Sequence, residues 1–76
     1  MNKKAVLEGL LFVSGDEGVT KEKIESILEI SEDEFYELLS ELLNDYSSDE
    51  RGITINKFGD VYKLLLKENM LIIIKR

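Results

Sequence analysis

The sequence predicts an α+β domain of the winged-helix type, because three amphipathic helical segments are followed by one β-hairpin. Only Glu29, Ile30 and Ser31 separate the second helical segment from the third, and such a tight connection is typical of a helix-turn-helix. The hairpin then takes the position of the wing. A plain three-helix bundle with an appended hairpin is the alternative arrangement of these elements. We expect one domain over residues 1–76.

The first helix, predicted over residues 3–14, is indicated by a stripe of aliphatic side chains. Gly15 follows the stripe directly and is a typical residue to end a helix. Phe12 projects away from the stripe, so it lies either at the rim of the core or at the surface as an anchor for a partner. At about 100° per residue, the stripe comprises Val6, Leu7, Leu10, Leu11 and Val13.

A short second helix is predicted over about residues 21–29. Thr20 is a suitable N-cap, because its hydroxyl can accept a hydrogen bond from a backbone amide in the first turn. Ile24, Ile27 and Leu28 recur with helical spacing, and we expect all of them to face the core.

The third helix is predicted over residues 32–46 and begins after a capping box. Ser31 is followed by Glu34, a pattern in which each side chain caps the backbone amide of the other residue. The capping box therefore fixes the start of this helix at Glu32. The apolar stripe of this helix is wide and contains Phe35, Leu38, Leu39, Leu42, Leu43 and Tyr46.

The remaining face of the third helix is acidic. In a DNA-binding helix-turn-helix this helix enters the major groove, where its exposed side chains must meet phosphates and base edges. No Lys or Arg occurs between Lys23 and Arg51, so we expect no direct binding to nucleic acid. The face is interpreted either as a solvated surface or as one that docks on a basic protein. Its residues are Glu32, Asp33, Glu34, Glu37, Glu41 and Asp45.

A β-hairpin is predicted over about residues 53–58 and 61–67. β-Branched side chains alternate in its first strand, and Gly59-Asp60 forms a two-residue turn. This turn places Phe58 opposite Val61. The face that packs on the helices is then expected to contain Ile53, Ile55, Tyr62, Leu64 and Leu66.

The other face of the predicted hairpin is more apolar than a wing requires. Phe58, Val61 and Leu65 fall on this outer face, which should be polar where a sheet is covered on one side only. Together with Phe12, they are our candidate protein-contact residues, through which we predict self-association into a homodimer. The alternative is an apolar wing surface without a partner.

Composition argues against several other classes of site. A net charge of −6, with cations spread along the chain, disfavours a polyanionic ligand. The chain has no Cys and no His, so we expect no disulfide, no metal and no cofactor. No phosphate-binding glycine motif and no buried pair of carboxylates is indicated, which predicts that the protein is not an enzyme. Without a signal sequence or a membrane-length apolar run, a cytoplasmic protein is expected.

Two segments of the chain resemble a known family. Residues 7–17, LEGLLFVSGDE, look like the opening of segregation and condensation protein B, and residues 52–65, which include DVYKL, resemble its first wing. The resemblance covers roughly residues 5–67. The chain departs from the usual pattern at Gly18, near which family members carry a proline. The apolar stretch from Met70 to Ile74 matches no family pattern, and it either adds to the core or begins a continuation of the chain.

The resemblance implies a non-catalytic subunit of the prokaryotic SMC–kleisin condensin, which acts in chromosome condensation and segregation during the cell cycle. Family members pair through their first winged-helix domain and bind the kleisin subunit largely through a second one. If this chain is the first domain, homodimerisation is the activity that it should retain. A winged-helix transcriptional regulator is the alternative function.

Overall fold

The chain folds into helices and a hairpin in the order that the sequence predicts, with one additional short strand. The structure is a computed structural model that describes residues 2–70. The sheet is antiparallel, with strand order β1-β3-β2. The elements are α1 (Lys3–Ser14), a 3₁₀ turn (Gly15–Glu17), β1 (Val19–Thr20), α2 (Lys21–Leu28), α3 (Glu32–Tyr46), β2 (Ile53–Phe58) and β3 (Val61–Leu66).

The helix starts follow from side-chain caps. The Thr20 hydroxyl accepts a hydrogen bond from the Lys23 amide at 3.2 Å, and the Ser31 hydroxyl accepts one from the Glu34 amide at 3.2 Å. Both predicted N-caps are therefore confirmed. At its other end α2 stops at Leu28, one residue before the predicted end, because Glu29 takes a left-handed backbone conformation with φ 54°.

Strand β1 is the element that the sequence does not reveal. Val19 pairs with Tyr62 and Thr20 with Val61, so the approach to α2 is also the third strand of the sheet. Gly18 makes this pairing possible: its φ is 70°, and a Cβ there would lie 2.6 Å from Cγ1 of Val61. A two-residue strand is too short to show an alternating pattern in the sequence, which is why only the N-cap at Thr20 was predicted here.

The core lies between the three helices and the inner face of the hairpin. Three residues that the helical stripes assign to the core are exposed instead, namely Val13 (76%), Ile27 (47%) and Leu43 (38%). Val13 lies roughly 140° around α1 from the midpoint of Leu7 and Leu11, so helix geometry turns it outward. The buried side chains are Leu7, Leu11, Val19, Ile24, Leu28, Phe35, Leu42, Tyr46, Ile55 and Tyr62.

The hairpin has the predicted register. Phe58 pairs with Val61, and Ile55 pairs with Leu64 across the Gly59-Asp60 turn. Strand β3 ends at Leu66, one residue earlier than predicted, and residues 68–70 have helical backbone. Of the apolar stretch over residues 70–74, only Met70 belongs to the described part of the chain.

Candidate protein-interaction surface

Phe12 is the most exposed aromatic residue among those that the structure describes. Leu7 and Leu11 fix the orientation of α1, because both are buried against the core, with 0% and 1% exposure. Phe12 follows Leu11 by one residue, so its ring points away from that contact and is 76% exposed. The structure thus decides between the two positions open for Phe12: it lies at the surface and not at the rim of the core.

A groove runs between α1 and the hairpin beside Phe12. It consists of two adjoining depressions of about 300 and 280 Å³, and Phe12, Ile53 and Leu64 line both of them. Leu65 completes the first depression, and Gly9 lies in the second. We call this feature the α1 groove. Its lining residues come from α1, the 3₁₀ turn, α3, β2 and β3, so only the folded chain presents it.

Two acidic residues lie at the margins of the α1 groove. The Glu8 side chain lines the second depression and accepts a hydrogen bond from the Tyr46 hydroxyl. Burial, and then the hydrogen bond to Glu8, raise the pKa of Tyr46 above its ordinary value. Asp16 lines the first depression, and its backbone carbonyl accepts a hydrogen bond from Nζ of Lys63 at 2.9 Å.

The structure divides the four predicted contact residues into two places. Phe12 and Leu65 line the α1 groove. Phe58 and Val61 lie instead beside the hairpin turn, where Phe58 is 50% exposed. Val61 was expected on an open face, but it is half-buried because β1 pairs with β3 and Gly18 lies against it.

Three residues of this surface were missed by the pattern of the hairpin. Ile53, Leu64 and Leu66 were expected to face the core, yet they also line the α1 groove, and Leu66 is 42% exposed. The pairing of Ile53 with Leu66 puts both residues at the open end of the hairpin, far from the turn. The alternation of faces predicts only which side of the hairpin a residue lies on. The distance of Ile53 and Leu66 from the turn would also have indicated that they lie near the edge of the core.

The acidic side of α3 is partly neutralised by lysines from the other helices. Nζ of Lys4 lies 2.6 Å from Asp45, and Nζ of Lys21 lies 2.7 Å from Glu32. The hydrogen bonds to Asp45 and Glu32 raise the pKa of Lys4 and of Lys21, respectively. A third contact, 3.7 Å long, joins Lys3 to Glu34. These lysines are engaged with carboxylates and do not form a cationic patch for phosphates.

Asp33, Glu37 and Glu41 complete the acidic side. Within residues 2–70, no basic nitrogen lies within 4.0 Å of their carboxylates. This side of α3 would therefore repel a DNA backbone. In the same described range, no group of three or more His, Cys, Asp or Glu side chains is arranged to hold a metal ion. Nor does that range contain a helix of the length and apolarity that a bilayer requires.

Comparison with known proteins points to one family. The family model of segregation and condensation complex subunit ScpB matches residues 5–76. The chain is 38% identical over 76 residues to segregation and condensation protein B of Bacillus pumilus, and 38% identical over 69 residues to that of Bacillus subtilis. It is covered completely by the first alignment and to 91% by the second, but spans only 39% and 35% of those relatives.

Solved structures agree with this match. A crystal structure of a dimer of the ScpB N-terminal domain complexed with ScpA peptide superposes with a TM-score of 0.89 and 39% sequence identity, covering 95% of this chain and 83% of that one. A conserved hypothetical protein from Chlorobium tepidum, 24% identical, has a TM-score of 0.79 over 96% of this chain and 46% of that one, and shows the fold alone. The winged-helix prediction and the family resemblance are thereby confirmed. The chain belongs to the family of segregation and condensation complex subunit ScpB.

Proposed function

We propose that the chain is a non-catalytic, protein-binding subunit of a cytoplasmic SMC–kleisin condensin, and that it acts in chromosome condensation and segregation through homodimerisation. One observation carries this proposal. The fold superposes over 95% of the chain on an ScpB N-terminal domain that was solved as a dimer with a ScpA peptide. The partners proposed here are therefore a second copy of the chain and a kleisin subunit of the ScpA type.

The geometry of the surface supports protein binding rather than DNA binding. An apolar groove beside an exposed aromatic ring is typical of a protein contact, since aromatic side chains contribute large buried areas at interfaces. Phe12, Phe58, Val61 and Leu65 are the residues that we propose for contacts with other proteins. The acidic side of α3 disfavours a transcriptional regulator, because such a protein would insert this helix into the major groove, between the phosphates of the DNA backbone.

The absence of a catalytic role is also part of the proposal. In the described part of the chain, the titratable groups with a raised pKa are Lys4, Lys21, Tyr46 and Tyr62. Each has a structural cause, an ion pair for the lysines and burial for the tyrosines. None of them has a pKa moved toward neutrality, as a general acid or base requires.

Solution experiments test both halves of the proposal. Sedimentation should show a species of twice the 8.7 kDa chain mass at micromolar concentration, and a fluorescent ScpA peptide should gain anisotropy on titration with the chain. A duplex DNA of random sequence serves as the comparison ligand at low salt. A chain that stays monomeric, ignores the peptide and binds the duplex with steep salt dependence would contradict the proposal and favour a DNA-binding regulator.

A further inference from the structure

We infer that the outer edge of β2 binds an extended, basic segment of another protein, which adds to the sheet as a fourth, antiparallel strand. The site consists of the backbone of β2 and of the side of α3 that is turned away from α1. It does not use the α1 groove, so this inference goes beyond the proposed homodimerisation and does not depend on it.

Strand β2 has one unpaired edge in the described part of the chain. It is the last strand in the order β1-β3-β2, and within residues 2–70 it pairs only with β3. The Lys67 amide donates to the Gly52 carbonyl at 2.9 Å, which fixes the residues that point their backbone groups toward β3. In an antiparallel pair such residues alternate with residues whose amide and carbonyl point outward. The outward residues of β2 are Ile53, Ile55 and Lys57.

The edge of β2 is regular enough to accept a further strand. Six consecutive residue pairs join β2 to β3, and the strand contains no proline. Proteins usually protect an edge from strand addition with bulges, prolines or inward-pointing charges, and here only the Lys57 side chain carries a charge. The amides and carbonyls of the outward residues recur at every second position. An extended backbone matches this pattern of donors and acceptors.

Helix α3 provides an apolar surface beside this edge. Helix α1 packs on β3, whereas α3 packs on β2. Lysines of α1 contact Glu34 and Asp45, which marks the side of α3 that faces α1. Tyr36 and Leu43 lie about 180° around the helix from those two carboxylates, so they are on the side next to the free edge of β2. Tyr36 is 45% exposed and Leu43 38%, and inward-pointing side chains of an added strand would cover both.

The charges around this surface favour a basic segment. Asp33 and Glu37 follow Tyr36 around the helix toward the solvent, and within residues 2–70 no basic nitrogen lies within 4.0 Å of their carboxylates. The net charge of −6 also attracts a cationic partner. The free edge requires an extended backbone, and the apolar side of α3 requires apolar side chains at alternate positions. The partner is thus a strand-forming segment with alternating apolar residues and with lysine or arginine at its ends.

The first test uses a peptide of the sequence KKVTITVKK, in which valine and isoleucine alternate with threonine between basic ends. On titration into the isotope-labelled chain, the amide resonances of Ile53, Ile55 and Lys57 should shift, and these amides should become protected from hydrogen exchange. The controls are the intervening residues of the same strand, whose amides already donate to β3 and should change little, namely Thr54, Asn56 and Phe58.

Two N-methylated forms of the peptide test the hydrogen bonds themselves. An added antiparallel strand pairs its inward-pointing residues with the outward residues of β2, so methylation of the valine and isoleucine amides should weaken binding at least about tenfold. Methylation of the threonine amides affects the opposite edge of the peptide and should change the dissociation constant less than about threefold. Equal effects of the two methylated peptides would overturn strand addition.

A pair of variants tests the role of α3. Leu43→Lys and Asn44→Lys introduce the same charge at neighbouring, exposed positions of this helix, but Asn44 lies about 100° further around it, away from the edge of β2. Leu43→Lys should weaken binding of the peptide at least about tenfold, and Asn44→Lys less than about threefold. Equal affinities of the two variants would overturn the assignment of the site to this side of α3.

Two further outcomes would overturn the inference as a whole. The first is the absence of shifts at Ile53, Ile55 and Lys57 up to the solubility limit of the peptide. The second is protection of these amides in the free chain, because a second copy or residues 71–76 would then already cover the edge. A monomeric chain that binds the peptide supports the inference while it removes the proposed homodimer, so the two failures are distinguishable.

Discussion

At the scale of single residues, Glu29 stores strain between α2 and α3. Its backbone has φ 54° and ψ 51°, a left-handed conformation that costs a residue with a side chain about 1–2 kcal/mol. It is the non-glycine residue with positive φ in the described chain. The strain persists because the amide of Glu29 caps α2 by donating to the carbonyl of Glu25, and the Ile30 amide donates to the same carbonyl at 3.1 Å.

Replacing Glu29 by glycine should therefore stabilise the domain. We expect Glu29→Gly to raise the free energy of unfolding by about 0.5–1 kcal/mol, because the relief of strain exceeds the added entropy of the unfolded chain. The same exchange at Glu37, an exposed position inside α3, should lower it by about 1 kcal/mol. Urea denaturation of both variants measures the difference, and equal losses at the two sites would contradict the account of Glu29.

Residues also show where prediction from the sequence stops. Phe12 was predicted to lie off the apolar stripe of α1 and is exposed, whereas Val13 was counted in that stripe and is exposed as well. They lie about 120° and 140° around the helix from the midpoint of Leu7 and Leu11, so the burial of either depends on how wide a sector of α1 the neighbouring elements cover. That width is set by the tertiary contacts of α1 with the sheet and α3, which no local pattern encodes.

At the scale of elements, Gly18 decides whether β1 can join the sheet. Besides Cγ1 of Val61, a Cβ at this position would lie 2.7 Å from the backbone carbonyl oxygen of Tyr62. The carbonyl belongs to the paired strand and cannot move without breaking the pairing of Val19 with Tyr62. The glycine is thus required both for its positive φ and for its missing side chain.

Gly18→Ala should cost substantially more than Gly15→Ala. Both positions have positive φ, 70° and 53°, but a Cβ at Gly15 would meet nothing within 4 Å. We expect a loss of about 1–3 kcal/mol at Gly15 from the backbone alone, and a loss larger by about 2 kcal/mol or more at Gly18, where steric overlap adds to the backbone cost. Thermal denaturation monitored by circular dichroism compares the two variants. Similar losses of stability would show that β1 can shift to accommodate the added methyl group.

The bounds of a helix or strand were predicted well where a particular local residue, such as a capping hydroxyl or a turn glycine, determines them. The hydroxyls of Thr20 and Ser31 mark the starts of α2 and α3, and the Gly59-Asp60 turn sets the register of the hairpin. Strand β1 and the α1 groove depend on contacts between segments far apart in the chain. Neither could therefore be predicted from the sequence. Phe12 and Leu65, which line the groove, had been predicted as contact residues from the pattern of their own helix and strand.

At the scale of the whole molecule, stability should decline in alkaline solution. Burial raises the pKa of Tyr46 and of Tyr62 above their ordinary value of 10.0, and ion pairs raise the pKa of Lys4 and of Lys21 above 10.5. A group whose pKa is higher in the folded state stabilises fully below its unfolded pKa. That stabilisation is lost as the pH rises through the folded value. All four groups act in the same direction.

The free energy of unfolding should therefore be constant between about pH 8 and 9 and should fall above about pH 10. The Tyr46→Phe variant has no phenol at this position, so its free energy of unfolding should fall less steeply with pH than that of the parent. Its free energy of unfolding at neutral pH should be lower, because the hydrogen bond to Glu8 is lost. Urea denaturation at a series of pH values gives both slopes. Parallel slopes would mean that Tyr46 does not titrate with unfolding.

The pairing of β1 with β3 also governs how the molecule opens. Val19 and Tyr62 are far apart in the chain, and the Lys21 amide adds a hydrogen bond of 3.1 Å to the carbonyl of Asp60 beyond them. These bonds join the first turn of α2 to the tip of the hairpin, so neither can detach while the other stays in place. Amide hydrogen exchange in α2 and in β3 should then proceed through one shared opening event with a single free energy, and the helices and the wing would form one cooperative unit.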